Sequence, residues 1–269
     1  LPFINNNYDF AEMVSEMLGE LNGSHTGCMY RPSPENGEST ASLGAFFDQS
    51  YIGDGLKVSE VIEEGPLTNA NSKIKPGVII EKIDGISIKA GEDYFALLNR
   101  KAGDNTLLSL YNPADGTRWE EKIKPISLGQ ENELLYNRWV KQREADVERL
   151  SNGRLGYVHV RGMNSESFRK AYSDIFGKFN NKEALIVDTR FNGGGWLHDD
   201  LATLLSGKHY ADFVPRGQYI GSEPINKWYK PSVVIVSEGN YSDAHGFPFT
   251  YKALNIGKLV GMPVPGTMT

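Results

Sequence analysis

Two side chains and one loop of this 269-residue sequence have the types and setting for nucleophilic chemistry. Ser242 stands in Glu238-Gly-Asn-Tyr-Ser-Asp-Ala-His-Gly-Phe247, just after the apolar run Val233-Val-Ile-Val236. A serine on a sharp strand-to-helix turn holds its hydroxyl clear of the sheet, and the N–H groups of the helix start can face a reacting carbonyl. Ser242 and Asp243 are also good helix N-cap residues, so this segment alone reads first as a capped helix. His25, in Ser24-His-Thr-Gly27, follows a helix end among small polar residues. That setting favours display over core packing, and by itself suits a surface histidine. The loop is Phe191-Asn-Gly-Gly-Gly-Trp196, with three glycines that permit close backbone approach. It lacks the Gly-Lys-Ser/Thr ending of a P-loop and does not fit GxGxxG. Presenting N–H groups to an oxyanion suits it better than cradling a phosphate, and a tight turn is the plain alternative.

The elements around these residues read as a parallel α/β layer. Val233–Val236 and Ala184–Asp188 are short β-branched or apolar runs of the kind buried on both faces of a parallel sheet, and Leu155–Val160 is a third strand. A helix from Ser165 to Phe179, another over Leu197–Leu205 and a periodic segment at Phe247–Leu254 alternate with them. Near the start, Asp9 is expected to cap a helix with Phe10, Met13, Val14, Met17, Leu18 and Leu21 on one face, ended by Asn22-Gly23. Residues 31–42 read as a linker. Between Leu43 and Ile126 the pattern is of short strands: Leu43–Phe47, Leu56–Val61, Val78–Ile83, Ile86–Ile88, Leu107–Tyr111 and Trp119–Ile123, with one helix at Glu92–Arg100. A connecting helix spans Glu131–Leu150.

Composition excludes several classes. Hydrophobic residues make up 39%, charged residues 23%, and the formal net charge is -6, which disfavours nucleic acid and anionic membranes as partners. No apolar run reaches the length of a membrane span, and no signal peptide opens the sequence. The single cysteine, Cys28, forms no internal disulfide. Compartment stays open, with the periplasmic or exported side preferred to the cytoplasm. The five histidines lack HExxH or similar spacing, and His198-Asp-Asp200 reads as a solvated helix face, so no metal is expected.

Two resemblances sharpen this. The run Ser72-Lys-Ile-Lys-Pro-Gly-Val-Ile-Ile-Glu-Lys-Ile-Asp-Gly-Ile-Ser-Ile88 resembles the PDZ signature, with Leu43-Gly-Ala-Phe46 where that family has its carboxylate-binding loop. The elements GSHTG (23–27), RLGYVHVRGM (154–163), LIVDTRFNGGG (185–195) and NYSDAHGF (240–247) resemble, in this order, the tricorn core protease and the C-terminal processing proteases. The resemblance implies an α/β fold: a mainly parallel, crotonase-like protease core with an inserted PDZ-like β module and an N-terminal helical cap. Its implied boundaries are a cap over 1–40, a PDZ-like domain over 41–127, a connecting helix over 128–150 and a catalytic core over 151–269. It implies Ser242 as nucleophile, His25 as general base and Ser24 as a neighbouring hydroxyl. The N–H groups of Gly195 and Asp243 would form the oxyanion hole, and Gly194 and Asp212 would serve substrate binding, Asp212 near an acidic residue that favours basic side chains. No cofactor is implied. The expected partner is a peptide or unfolded-protein substrate, and homo-oligomerisation stays open. Lys252 lies too far along the helix for a serine–lysine dyad. A glutamate that completes the tricorn relay has no candidate before Thr269, so the chain is expected to be a piece of a longer one, folded but catalytically weak by itself.

Two other classes compete with a serine peptidase at this stage. One is a PDZ-type peptide-binding scaffold on a degenerate core. The other is a crotonase-like acyl-CoA enzyme, which would need neither Ser242 nor the PDZ-like insert.

Overall fold

The computed structural model describes residues 3–33 and 35–268, so Leu1 and Pro2 of the expected entry loop, Pro34 of the linker and Thr269 lie outside it. The chain forms two compact units. The first joins Leu1–Arg31 to Gln142–Thr269, and the second is Pro32–Lys141.

Helix α1 (Asn7–Gly19) opens the first unit. Its cap is Asn6 and not Asp9: in an extended backbone, the Asn6 side-chain oxygen accepts from the N–H groups of Tyr8 (2.8 Å) and Asp9 (3.0 Å). Only Ala11 of this helix is buried. Phe10, Met17 and Leu21, expected on the packed face, are exposed.

The second unit holds β1 (Ala41–Ser42), β2 (Ala45–Phe47), β3 (Leu56–Val61), β4 (Ile79–Ile83), β5 (Ile86–Ser87), β6 (Thr106–Asn112), β7 (Thr117–Ile123) and β8 (Ile126–Ser127). A sheet runs β2-β3-β4-β6-β7 with β5 on β4, while β1 pairs with β8. Asp84 and Gly85 turn β4 into β5 with positive φ at both positions (47° and 81°), the conformation a two-residue hairpin requires. The expected Leu43–Phe47 strand is split at Gly44, where φ is +67°. The expected Glu92–Arg100 helix is only a 3-10 turn over Phe95–Leu98. Asp93 Oδ1 takes the Phe95 N–H (2.8 Å), Asn99 is extended, and Arg100 has φ 60°, so local side-chain bonding and the chain's exit direction stop a helix there. Leu108, Leu110, Ile80 and Ile83 centre this unit's own core.

Helix α2 (Leu128–Leu150) leads back to the first unit, where β9 (Leu155–His159), α3 (Ser165–Ser173), β10 (Ala184–Asp188) and α4 (His198–Leu205) follow. After them come β11 (Ala211–Phe213), β12 (Gly221–Glu223), β13 (Ser232–Val236), α5 (Asp243–Ala253) and β14 (Lys258–Gly261). The expected Ser165–Phe179 helix widens to a π turn over Asp174–Lys178. The sheet order is β14-β13-β10-β9, every pair parallel, with Asp188 level with both His159 and Ile235. The β11–β12 hairpin was not anticipated from the sequence. Val158, Val187, Val234, Leu201, Phe247 and Tyr251 pack the core between sheet and helices. This mixed α/β layer carries two strand-to-helix turns side by side, after β10 and after β13. Among the described residues, no helix is long and apolar enough to cross a membrane.

Candidate active site

The turn after β13 is built by Asn240, which is fully buried. Its Oδ1 accepts the Ser237 N–H (3.0 Å), and its Nδ2 donates to Thr189 Oγ1 (2.9 Å) and to the Ala244 carbonyl (3.2 Å). The last bond has a cause in the sequence. Pro248 lies inside α5, has no N–H, and so leaves the Ala244 carbonyl four residues earlier without its helical donor. Asn240 thus ties β10, β13 and the start of α5 together.

Ser242 sits at φ 53°, ψ -124°, a conformation sparse for any residue other than glycine. Ser242 occupies the cap position, yet its side chain makes no capping bond. Its hydroxyl meets the His25 Nε2 at 2.9 Å across 217 positions of sequence. His25 is itself at φ 63°, and its N–H donates to the Tyr241 phenol oxygen at 2.9 Å. The two rings lie edge to face with centroids 4.9 Å apart. Thr26 Oγ1 donates to the Gly23 carbonyl (2.9 Å) and steadies the same loop. On the other side, the Ser242 N–H donates to Thr267 Oγ1 at 2.9 Å. Ser24 is half-buried beside His25.

The turn after β10 lies directly against this one. Tyr241 N–H donates to the Asn192 carbonyl (2.9 Å), and Asn192 Oδ1 takes the Gly194 N–H (2.9 Å). Gly194 has φ +97°, and a Cβ there would stand 2.7 Å from both Ser242 Cβ and the Tyr241 carbonyl, and 3.2 Å from the Asp243 nitrogen. Gly195, at φ +139°, has no room for a Cβ against the Met163 carbonyl. Met163 anchors this loop by donating to the Gly194 carbonyl (2.9 Å) and accepting from Trp196 N–H (2.8 Å). Among the described residues, neither the Gly195 N–H nor the Asp243 N–H has a hydrogen-bond acceptor. Gly195 is exposed. Gly194→Ala is therefore expected to destabilise the protein by roughly 2–4 kcal/mol, combining left-handed backbone strain with overpacking. Denaturant unfolding that left the stability within about 0.5 kcal/mol of wild type, the usual range for neutral surface changes, would contradict this reading of the close approach.

Beneath the site, the carboxylate of Asp188 is fully buried and takes Arg190 Nη2 (2.6 Å) and the Tyr157 hydroxyl (2.8 Å). Burial, and then the negative charge of Asp188, push the Tyr157 phenol far up, so it stays a hydrogen donor. Burial lowers the pKa of His159, which faces the Arg190 carbonyl (3.1 Å) and is held neutral. This network fixes the end of β10 from which the glycine loop starts.

The remaining expected site residue, Asp212, lies in the β11–β12 hairpin. Its Oδ1 accepts from Ser222 Oγ (2.6 Å) and His209 Nε2 (2.8 Å), and these two bonds, Ser222 first, lower its pKa. None of its described polar contacts is with Ser242, His25 or the glycine loop. His198, expected on a solvated helix face, is instead only 21% exposed at its side chain and binds the carboxylate of Asp243. The signal available in the sequence was its place in the first turn of a helix that follows a glycine-rich loop. Among the described residues, no group of three or more His, Cys, Asp or Glu side chains could hold a metal ion.

Residues 154–269 match the family model described as "Peptidase family S41". Over 97% of its length the chain is 28% identical to the tricorn protease of Thermoplasma acidophilum and covers 25% of that protein. It is 30% identical to a tricorn protease homolog of Saccharolobus solfataricus, again over 97% of its length and 24% of the relative's. The chain thus spans about a quarter of the length of these curated relatives. A crystal structure of the tricorn protease superposes with a TM-score of 0.80 at 26% identity, covering 98% of this chain and 26% of that one.

Proposed function

We propose that this chain, whose residues 154–269 match the model of peptidase family S41, is the catalytic part of a tricorn-like serine peptidase acting on peptides or unfolded protein. One observation carries the assignment of roles: the 2.9 Å contact between His25 Nε2 and Ser242 Oγ, at a serine held in a strained turn and not used as a cap. Ser242 Oγ attacks the peptide carbonyl carbon while its proton passes to His25 Nε2. The oxygen that becomes negative is received by the N–H groups of Gly195 and Asp243, and each such donor is typically worth about 10²–10³ in rate. Collapse of the tetrahedral intermediate breaks the C–N bond, and His25 returns the proton to the leaving amine. Water, activated by the same histidine, then hydrolyses the ester and frees Ser242. Ser24 extends the hydroxyl chain beside His25, and Gly194 lets the substrate and the Ser242 turn approach closely. Asp212, kept ionised by its two hydrogen bonds, is the candidate partner for a basic substrate side chain.

At finer grain, the first unit is read as a crotonase-like core capped by the N-terminal helix, and residues 41–127 as a PDZ-like module. The hairpin at Asp84-Gly85 and the sheet around it support the second reading. A pure binding scaffold or an acyl-CoA enzyme is not favoured, because neither gives the histidine–serine contact work to do. A fluorophosphonate is expected to label the protein at one site, Ser242, located by peptide mass spectrometry. No labelling of the folded, intact protein, or labelling at another serine, would remove this function.

A further inference from the structure

The two proposed oxyanion donors belong to separate segments. Gly195 lies in the turn after β10 and Asp243 in the turn after β13, and an oxyanion is stabilised only if their N–H groups keep a fixed spacing. The side chain of Asp243 spans these segments. Its carboxylate is 1% exposed. Oδ2 accepts the N–H groups of Leu197 (2.5 Å) and His198 (3.1 Å), and Oδ1 takes Nδ1 of the His198 ring (2.5 Å). One residue thus offers its N–H towards the substrate and grips, two residues beyond Gly195, the chain that carries the other donor. Oδ2 already meets the N–H groups of the α4 start. The His198 ring is therefore not needed for capping; it pins the second carboxylate oxygen. The same ring meets the indole of Trp196 edge to face, centroids 5.5 Å apart, next to Gly195.

We propose that His198 is a positioning residue of the oxyanion hole, clamping the Asp243 carboxylate so that the N–H groups of Gly195 and Asp243 stay in register. Without the ring, Oδ1 is a buried acceptor with no other donor among the described residues, and the carboxylate turns to find one. The loss then falls where negative charge develops on the substrate, so it appears in kcat and not in KM. The inference rests on Ser242 being the nucleophile.

The test compares wild type, Ser242→Ala, His198→Ala and His198→Asn in the intact protein, using a fluorogenic peptide amide and a fluorophosphonate. His198→Ala is expected to lower kcat about 10- to 100-fold with KM within about twofold, somewhat less than deletion of a whole donor. His198→Asn, whose amide N–H can take the place of Nδ1, recovers most of that loss. The 31P resonance of phosphonylated Ser242, which reports the hydrogen bonds to the phosphoryl oxygen, shifts in His198→Ala and returns in His198→Asn. Unchanged kcat in a folded His198→Ala overturns the proposal. So does a loss carried by KM, or an equal loss in both variants that tracks a lowered melting temperature. Persistent turnover in Ser242→Ala overturns the serine-peptidase reading instead, so the two failures are told apart.

Discussion

In the intact protein, Ser242→Ala is expected to reduce peptide turnover by about 10⁶-fold, the scale seen when a serine nucleophile is removed. The residual rate comes from substrate binding and the oxyanion hole, which the variant keeps. The fold is expected to survive. The hydroxyl caps no helix, and the turn is held by the side chain of Asn240 and by the backbone of Tyr241 and Ser242, none of which the substitution touches. Circular dichroism and a thermal melt would establish that survival alongside the kinetics. A folded variant with turnover within about tenfold of wild type would sink the assignment, since chemistry that does not need the nucleophile lies outside this mechanism.

His25→Ala is expected to cost about as much, and the double variant no more than either single one. A serine without its base and a base without its serine are equally idle, and residues that act as a unit do not add. His25 is exposed and lies outside the packed core, so its loss should leave stability nearly unchanged. Measured kcat values for the two single variants and the double variant decide the matter. Multiplicative losses would mean that the two residues act in different steps, and a His25→Ala enzyme near wild type would point to another base.

Much of the core could be read from local pattern. The runs at Val233–Val236 and Ala184–Asp188 read as strands of a parallel sheet and do pair in parallel, but the expected burial on both faces is only partial: Leu185, Val187, Val234 and Val236 are buried, whereas Ile186, Val233 and Ile235 are half-buried. The glycines at 194 and 195 announced unusual backbone, and both have positive φ. What stayed illegible was set by tertiary neighbours. Nothing within a window around Asp243 tells that its carboxylate is spent on His198, 45 positions earlier. Nothing around Ser242 tells that φ 53° turns its hydroxyl away from the helix it precedes. The residues 92–100 misled because helical spacing of apolar side chains says nothing of an aspartate that bonds the backbone two residues on. The β11–β12 hairpin escaped because strands of three residues carry too little alternation to be seen.

The order of the pieces along the chain sets a clock. His25 comes before the 32–141 unit and Ser242 after it, with 217 positions between them. At the usual pace of the ribosome, roughly 5–20 residues per second, about 10–40 s pass between the two. Through that interval the nascent polypeptide exposes a base with no nucleophile to serve. Compaction of residues 32–141 on their own core would shorten the loop that must close for the two to meet. The proposed histidine–serine pair therefore cannot assemble until Ser242 has been made.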